Sequence, residues 1–119
     1  MLVLDKTKKV NPIYILAVMS ASRRMSWKKL KKLIGTKKLS MASLEDVKIK
    51  TGCLNGAVPP FGSIFNVKTY MDNSLKIQGD HINFNAGLRT HSVMMEVEDY
   101  LKLEDPHVCE FVESEDEGE

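Results

Sequence analysis

The twelve residues from Thr51 to Gly62, TGCLNGAVPPFG, constrain this chain more than any other stretch. They hold three of its seven glycines and two of its four prolines, and no charge. An ordinary connector between two elements is short and polar. This one is long, apolar and stiff, because each proline fixes φ and removes a donor. The glycines let the backbone take conformations closed to other residues and let a ligand come close. Two readings fit. The stretch is a buried structural turn, or it is a fixed array of main-chain groups able to hold an oxyanion, a carbonyl or a water.

The flanking sequence places that loop between regular elements. Leu2–Leu4 reads as a strand, Asp5–Asn11 as a polar turn, and Ile13–Met19 as a buried strand, the two strands forming a hairpin. Ser26 is a helix N-cap, Trp27, Leu30, Leu33 and Ile34 recur at helical spacing, and Gly35 stops the helix. Trp27 reads as a core anchor rather than a base-stacking residue. Lys37–Met41 is a short strand. Ser43 opens a second helix, with Asp46 in a capping-box position, and that helix delivers the chain into the loop. Beyond it, strands are expected at Phe65–Met71, around Ile82 and Phe84, and at Thr90–Val97, with a short helix over Glu98–Leu103. The elements make one mixed α/β domain over residues 1–109, followed by an acidic disordered tail at 110–119. Six of those last ten residues are Asp or Glu.

Charge is divided along the chain. Residues 1–50 hold 13 Lys and Arg against 3 Asp and Glu, a balance of +10; residues 51–119 hold 4 against 13, a balance of −9. The sum is the net +1 of the whole. A basic half suits an anionic partner, nucleic acid first, although lysines also simply solvate helix faces. Arg23, Arg24, Lys28, Lys29, Lys31 and Lys32 form its densest part, with too few aromatics interleaved for a single-strand stacking platform. No apolar run approaches the roughly 18 residues of a membrane span, and no secretory signal opens the chain. Two cysteines, Cys53 and Cys109, read as free thiols in a reducing compartment, so a cytoplasmic setting is expected. His81, His91 and His107 lack metal-ligand spacing, and neither a phosphate-binding nor a dinucleotide fingerprint is present. No metal and no cofactor is expected. Cys53 has no partner base in the sequence, which argues against a thiol nucleophile.

The pattern Gly-Cys-x-x-Gly-Ala-Val-Pro-Pro-Phe-Gly at 52–62 closely resembles the signature loop of the YbaK/prolyl-tRNA synthetase editing-domain family. The family's Gly-x-x-x-Pro element falls on Gly56–Pro60. Lys29–Gly35 resembles its Lys-Lys-Leu helix, Leu39–Val47 the strand and helix start that follow, and Asn83–Gly87 a later glycine-bearing strand end. The resemblance extends over about residues 1–105. It implies a curved or barrel-like, mostly antiparallel sheet with helices packed outside.

The resemblance also implies an activity, the hydrolysis of mischarged aminoacyl-tRNA, with alanyl- or cysteinyl-tRNA for proline as the expected substrate. Gly56, Ala57, Val58, Pro59 and Pro60 would form the catalytic wall, acting through main-chain groups with help from the terminal ribose hydroxyl. Phe61, Gly62 and, on the opposite rim, Gly87 would bind substrate, and the basic cluster would hold the acceptor stem by its phosphates. The family also carries a lysine directly before the strand matched by Leu2–Leu4. This chain starts after that point and lacks the helix that normally precedes it, so truncation is expected, with reduced cleavage and with apolar surface left open to self-association. The alternative is a catalytically impaired module that binds tRNA or a synthetase.

Overall fold

In the computed structural model, residues 1–7, 12–20, 22–77 and 79–113 are described. Strands β1 (Leu2–Asp5) and β2 (Ile13–Val18) form the expected hairpin, antiparallel with Val3 opposite Ile15. The Ser26 hydroxyl accepts from Lys29 N and starts helix α1 (Trp27–Ile34), which Gly35 ends with φ 82°. Strand β3 (Leu39–Met41) returns antiparallel to β1. The Ser43 hydroxyl accepts from Asp46 N at the start of α2 (Leu44–Thr51), and Gly52 ends it in the left-handed region. Both helices therefore run between the caps that the sequence supplies.

The chain then crosses back to lay β4 (Lys68–Asp72) parallel to β2. The expected strand at Phe65–Met71 starts late. Residues Gly62–Phe65 instead form a 3₁₀ turn, and Asn66 takes φ 58° to end it. Helix α3 (Ser74–Ile77) follows, then the antiparallel pair β5 (His81–Asn85) and β6 (Ser92–Glu96), and α4 (Val97–Glu104). Strand β7 (His107–Cys109), which the sequence reading does not contain, pairs parallel to β4.

The resulting five-stranded order is β3-β1-β2-β4-β7, with β5-β6 a separate two-stranded unit. The five-stranded sheet has two antiparallel and two parallel pairings; with β5-β6, three of the five pairings among the described residues are antiparallel, so the strands pair mostly antiparallel as expected. The five-stranded sheet is open, with β3 and β7 as its edges among the described residues. The two parallel pairings arise because long crossovers, rather than turns, feed β4 and β7.

Alternation along the strands sorts the core into two faces. Val3, Ile15, Ala17 and Tyr70 pack with Met25, Leu30 and Phe111, so α1 covers one face. Leu2 and Leu16 pack with Ala42, Val47 and Val67 under α2, and Val58 of the glycine- and proline-rich loop joins them. Met71 continues that second face into a third cluster with Leu75, Ile82, Val97 and Tyr100. Phe111 and Val112 are buried although they lie within the acidic C-terminal stretch. Val112 bridges to Met25, Ser26 N donates to Phe111 O (2.7 Å), and Glu113 N donates to Arg24 O (2.7 Å). The remaining tail, 114–119, lies outside the described residues.

Candidate functional site

The Thr51–Gly62 loop is held at both ends and along its length. At its start, the Thr51 hydroxyl donates to Val47 O (2.6 Å) and accepts from Cys53 N (3.1 Å). At its end, the buried Tyr100 hydroxyl donates to Pro60 O (2.5 Å). Burial, with the charge of Glu104 second, pushes that hydroxyl far above the usual tyrosine range, so it remains a donor. Gly62 is buried, and its N–H donates to the Thr69 hydroxyl (2.9 Å). A Cβ there would run into Thr69 Oγ1 and the Val67 carbonyl, so this position requires glycine for space. The Thr69 hydroxyl in turn donates to Glu104, which also accepts from the backbone and side chain of Ser63.

The β5-β6 unit grips the middle of the loop. Asn85 Nδ2 donates to Gly56 O (2.6 Å), Gly87 N to Ala57 O (2.9 Å) and Arg89 Nε to Asn55 O (2.9 Å). Three successive carbonyls are thus fixed by one hairpin end. Ala57 N is spent on Leu54 O (2.9 Å), and Pro59 and Pro60 have no N–H. Across Ala57–Pro60, that leaves the Val58 N–H as the donor with no hydrogen bond among the described residues, together with the Val58 and Pro59 carbonyls as acceptors.

Beside this wall lies a cleft of about 190 Å³. Val58, Pro59 and Pro60 form one side, the end of β2 from Leu16 to Val18 with Met19 just beyond it the floor, and Ile82, Asn83 and Phe84 of β5 the other side. Asn83 carries the one polar side chain in the lining, which holds no acidic, basic or thiol side chain. The Met1 ammonium is also at the lining; it donates to Ala17 O (2.8 Å), and burial lowers its pKa from 8.0 to about 6. A hollow of about 180 Å³, sharing Met1 and Val58 with the cleft, lies against Leu2, Val47, Asn55 and Gly56.

Of the expected wall, Val58, Pro59 and Pro60 line the cleft. Gly56 and Ala57 precede them in the loop without lining it, and Gly87 meets the loop through its bond to Ala57 O. Gly56 and Gly87 both take φ 88°, open only to residues that tolerate the left-handed region. Phe61 and Gly62 stand apart from the cleft wall. Phe61 is wedged edge-on between Phe84 (5.7 Å) and Tyr100 (5.2 Å), and Gly62 faces Thr69. The basic cluster is also elsewhere, since α1 covers the opposite face of the sheet. Arg23 Nη2 and Lys29 Nζ donate to the carbonyls of Glu113 and Val112, so two of its six cations tie down the C-terminal segment. Arg24, Lys28 and Lys32 are exposed, and Lys31 is half-buried.

Asn83, Asn85 and Arg89, which the sequence reading did not assign as site residues, turn out to matter here. The signal available was the period of two that sets Asn83 and Asn85 on the same side of one strand. Cys53 is half-buried, with its thiol donating to Thr51 O (3.5 Å), and is not part of the cleft wall. Among the described residues, no cluster of histidine, cysteine and carboxylates could hold a metal, and no helix is long and apolar enough to cross a membrane.

Residues 1–103 match the family model described as the aminoacyl-tRNA editing domain. The chain belongs to that family. A relative from Escherichia coli K12, the multifunctional Ser/Thr-tRNA deacylase ProXp-y, is 35% identical over 98 residues, covering 82% of this chain and 59% of the relative. The editing domain described here thus spans under two thirds of that protein's length. Among solved structures, a candidate trans-editing enzyme for prolyl tRNA synthetase superposes with a TM-score of 0.80 at 22% identity, covering 96% of this chain and 68% of the other. The hypothetical protein APE2540 does so with a TM-score of 0.80 at 18% identity, covering 95% and 71%. At those identities the two structures speak for the fold.

Proposed function

We propose that this editing domain hydrolyses mischarged aminoacyl-tRNA. The observation that carries the reading is a cleft with Val58, Pro59 and Pro60 on one side, in a loop whose adjoining Asn55, Gly56 and Ala57 carbonyls are held by the β5-β6 hairpin while the Val58 N–H stays uncommitted. In the reaction, a water oxygen attacks the ester carbonyl carbon and the carbonyl oxygen gains negative charge. The Val58 N–H is the donor for that oxygen. The carbon–oxygen bond to the ribose then breaks, the ribose oxygen takes a proton, and free amino acid and tRNA leave. The cleft lining holds no acidic or basic side chain. As the sequence resemblance implies, the adjacent ribose hydroxyl of the substrate orients the water and relays the proton. Family membership and the deacylase relative at 35% identity support the reaction class.

The substrate is an amino acid with a small side chain, as a cleft of about 190 Å³ favours. Alanine and cysteine on tRNA for proline are the choices implied by the sequence resemblance, while the relative's name specifies serine and threonine. The tRNA is held by exposed cations, among them Arg24, Lys28 and Lys32. Because α1 lies across the sheet from the cleft, these act on a more distant part of the tRNA than the esterified end. A second reading, a tRNA- or synthetase-binding module without turnover, is favoured by the lack of any acidic or basic side chain in the cleft lining.

Deacylation of alanyl-, cysteinyl-, seryl- and threonyl-tRNA, with correctly charged prolyl-tRNA as control, separates the two. Hydrolysis of a mischarged species, abolished in Gly56→Val with the circular-dichroism spectrum retained, establishes the editing reaction. Binding of tRNA with no hydrolysis of any ester establishes the binding module instead.

A further inference from the structure

Asn83 carries the one polar side chain in the cleft lining, where the Met1 ammonium is already bonded to Ala17 O. Its neighbours in the lining are Leu16, Val18, Val58, Ile82 and Phe84, none of which can hydrogen-bond through a side chain. Its orientation follows from strand geometry. Asn85, two residues on, reaches Gly56 O at 2.6 Å, so that side of β5 looks toward the signature loop. Asn83 lies one strand repeat back, about 7 Å along the same side. Whereas Asn85 is spent on the loop, the Asn83 amide makes no hydrogen bond among the described residues. It is also exposed, so it is not required by the core.

An amide offers two donors and an acceptor, and a side-chain hydroxyl offers one donor and two acceptor lone pairs. The two are complementary in either direction. Alanine offers nothing to an amide, and a thiol is a weak donor and acceptor. The methyl of threonine would meet the aliphatic lining, which serine's hydrogen atom leaves open.

Building on the editing reading above, we infer that Asn83 is a specificity residue that hydrogen-bonds the side-chain hydroxyl of the esterified amino acid, making seryl- and threonyl-tRNA the preferred substrates over alanyl-tRNA. Asn83 takes no part in bond breaking; it sets which ester stays long enough to be cleaved. A pocket of apolar walls alone separates serine from alanine poorly, whereas a polar group that must find a partner separates them well.

The test is kcat/KM for seryl-, threonyl- and alanyl-tRNA with the wild-type chain, Asn83→Ala and Asn83→Asp. Because Asn83 bonds nothing within the fold, urea midpoints should match across the three. In Asn83→Ala, seryl- and threonyl-tRNA should fall by about tenfold, the worth of one hydrogen bond, while alanyl-tRNA stays within about twofold. Asn83→Asp keeps an acceptor of the same size and should recover part of the loss. An equal fall for seryl- and alanyl-tRNA would overturn the inference, because it would place Asn83 on the α-amino group that both share. No change for any ester would overturn it as well. A wild-type chain that cleaves none of the three esters would sink the deacylase reading itself, and this inference with it.

Discussion

Single atoms decide several of the contacts that shape the site. Gly62→Ala places a methyl against Thr69 Oγ1, which is bonded to Gly62 N and Glu104, and against the carbonyl of the buried Val67, so neither can give way cheaply. Overpacking of this kind should cost about 1–3 kcal/mol, read as a lower urea midpoint at unchanged slope. Asp72 is equally unforgiving. It is 1% exposed, and it accepts from Phe111 N (2.7 Å), Val112 N (3.3 Å) and Ser74 N (2.8 Å). Asp72→Ala leaves those N–H groups without that partner and should cost on the order of 3 kcal/mol by the same measurement. Nothing in the sequence singles out Asp72; its role depends on β7 and Phe111 arriving from far along the chain. Cys109 gives a pH signature. Burial, and second the charge of Asp72, pushes its thiol from an ordinary 9.0 up to about 11. The folded state then holds the thiol proton more tightly than the unfolded state. Its contribution to stability is intact below pH 9 and lost as pH rises towards 11. Thermal melts of Cys109→Ala above pH 9 should therefore fall less steeply than those of the parent. The upward shift of Tyr100, which acts in the same direction from pH 10, remains in both.

The working element is the pairing of the signature loop with the β5-β6 hairpin. Neither is rigid by itself: the loop has no regular structure, and an isolated two-stranded hairpin is marginal in water. Together they share three hydrogen bonds onto consecutive carbonyls and the aromatic contact of Phe61 with Phe84. Asn85→Ala combined with Arg89→Ala removes two of the three. Amide hydrogen exchange across residues 53–62 should then speed up while the slowest amides of β2 and β4 keep their rates, which is the mark of local rather than global opening. The sequence announced both partners separately. Glycine and proline punctuation marked the loop, and alternation around Ile82 and Phe84 marked the strand. It did not announce the grip, because the donors are polar side chains and an amide that any exposed turn could carry.

Across the whole molecule, the charge division of the chain becomes a division of the sheet. The order β3-β1-β2-β4-β7 keeps the strands of the basic first half together and those of the acidic second half beside them. A polyanion approaching from the β3 side meets the positive half first. Binding of tRNA should weaken linearly in the logarithm of salt concentration, and replacing Arg24, Lys28 and Lys32 by glutamine should reduce the slope by about one per cation that touches phosphate. Titrations at several salt concentrations read this directly. An unchanged slope would remove α1 from the tRNA path and leave the cations of the cleft side, such as Lys48, Lys50 and Arg89, as the next to test.

The sequence by itself determined what is local. Caps at Ser26 and Ser43, stops at Gly35 and Gly52, the first hairpin and the unusual loop are all set by φ preferences, side-chain donors and hydrophobic period acting over a few residues. Tertiary structure alone decided which groups meet. The 3₁₀ turn at Gly62–Phe65 displaced the start of an expected strand because Gly62 had to lie against Thr69. Strand β7 and Phe111 joined the fold because Asp72 and the exposed edge of β4 supplied their backbone partners. The basic helix went to the face away from the cleft, since Leu30 packs with Val3 and Ile15 while the loop packs with Leu16. Sequence spacing carries no information on such pairings, because their strength depends on burial, and burial exists only once distant segments have come together.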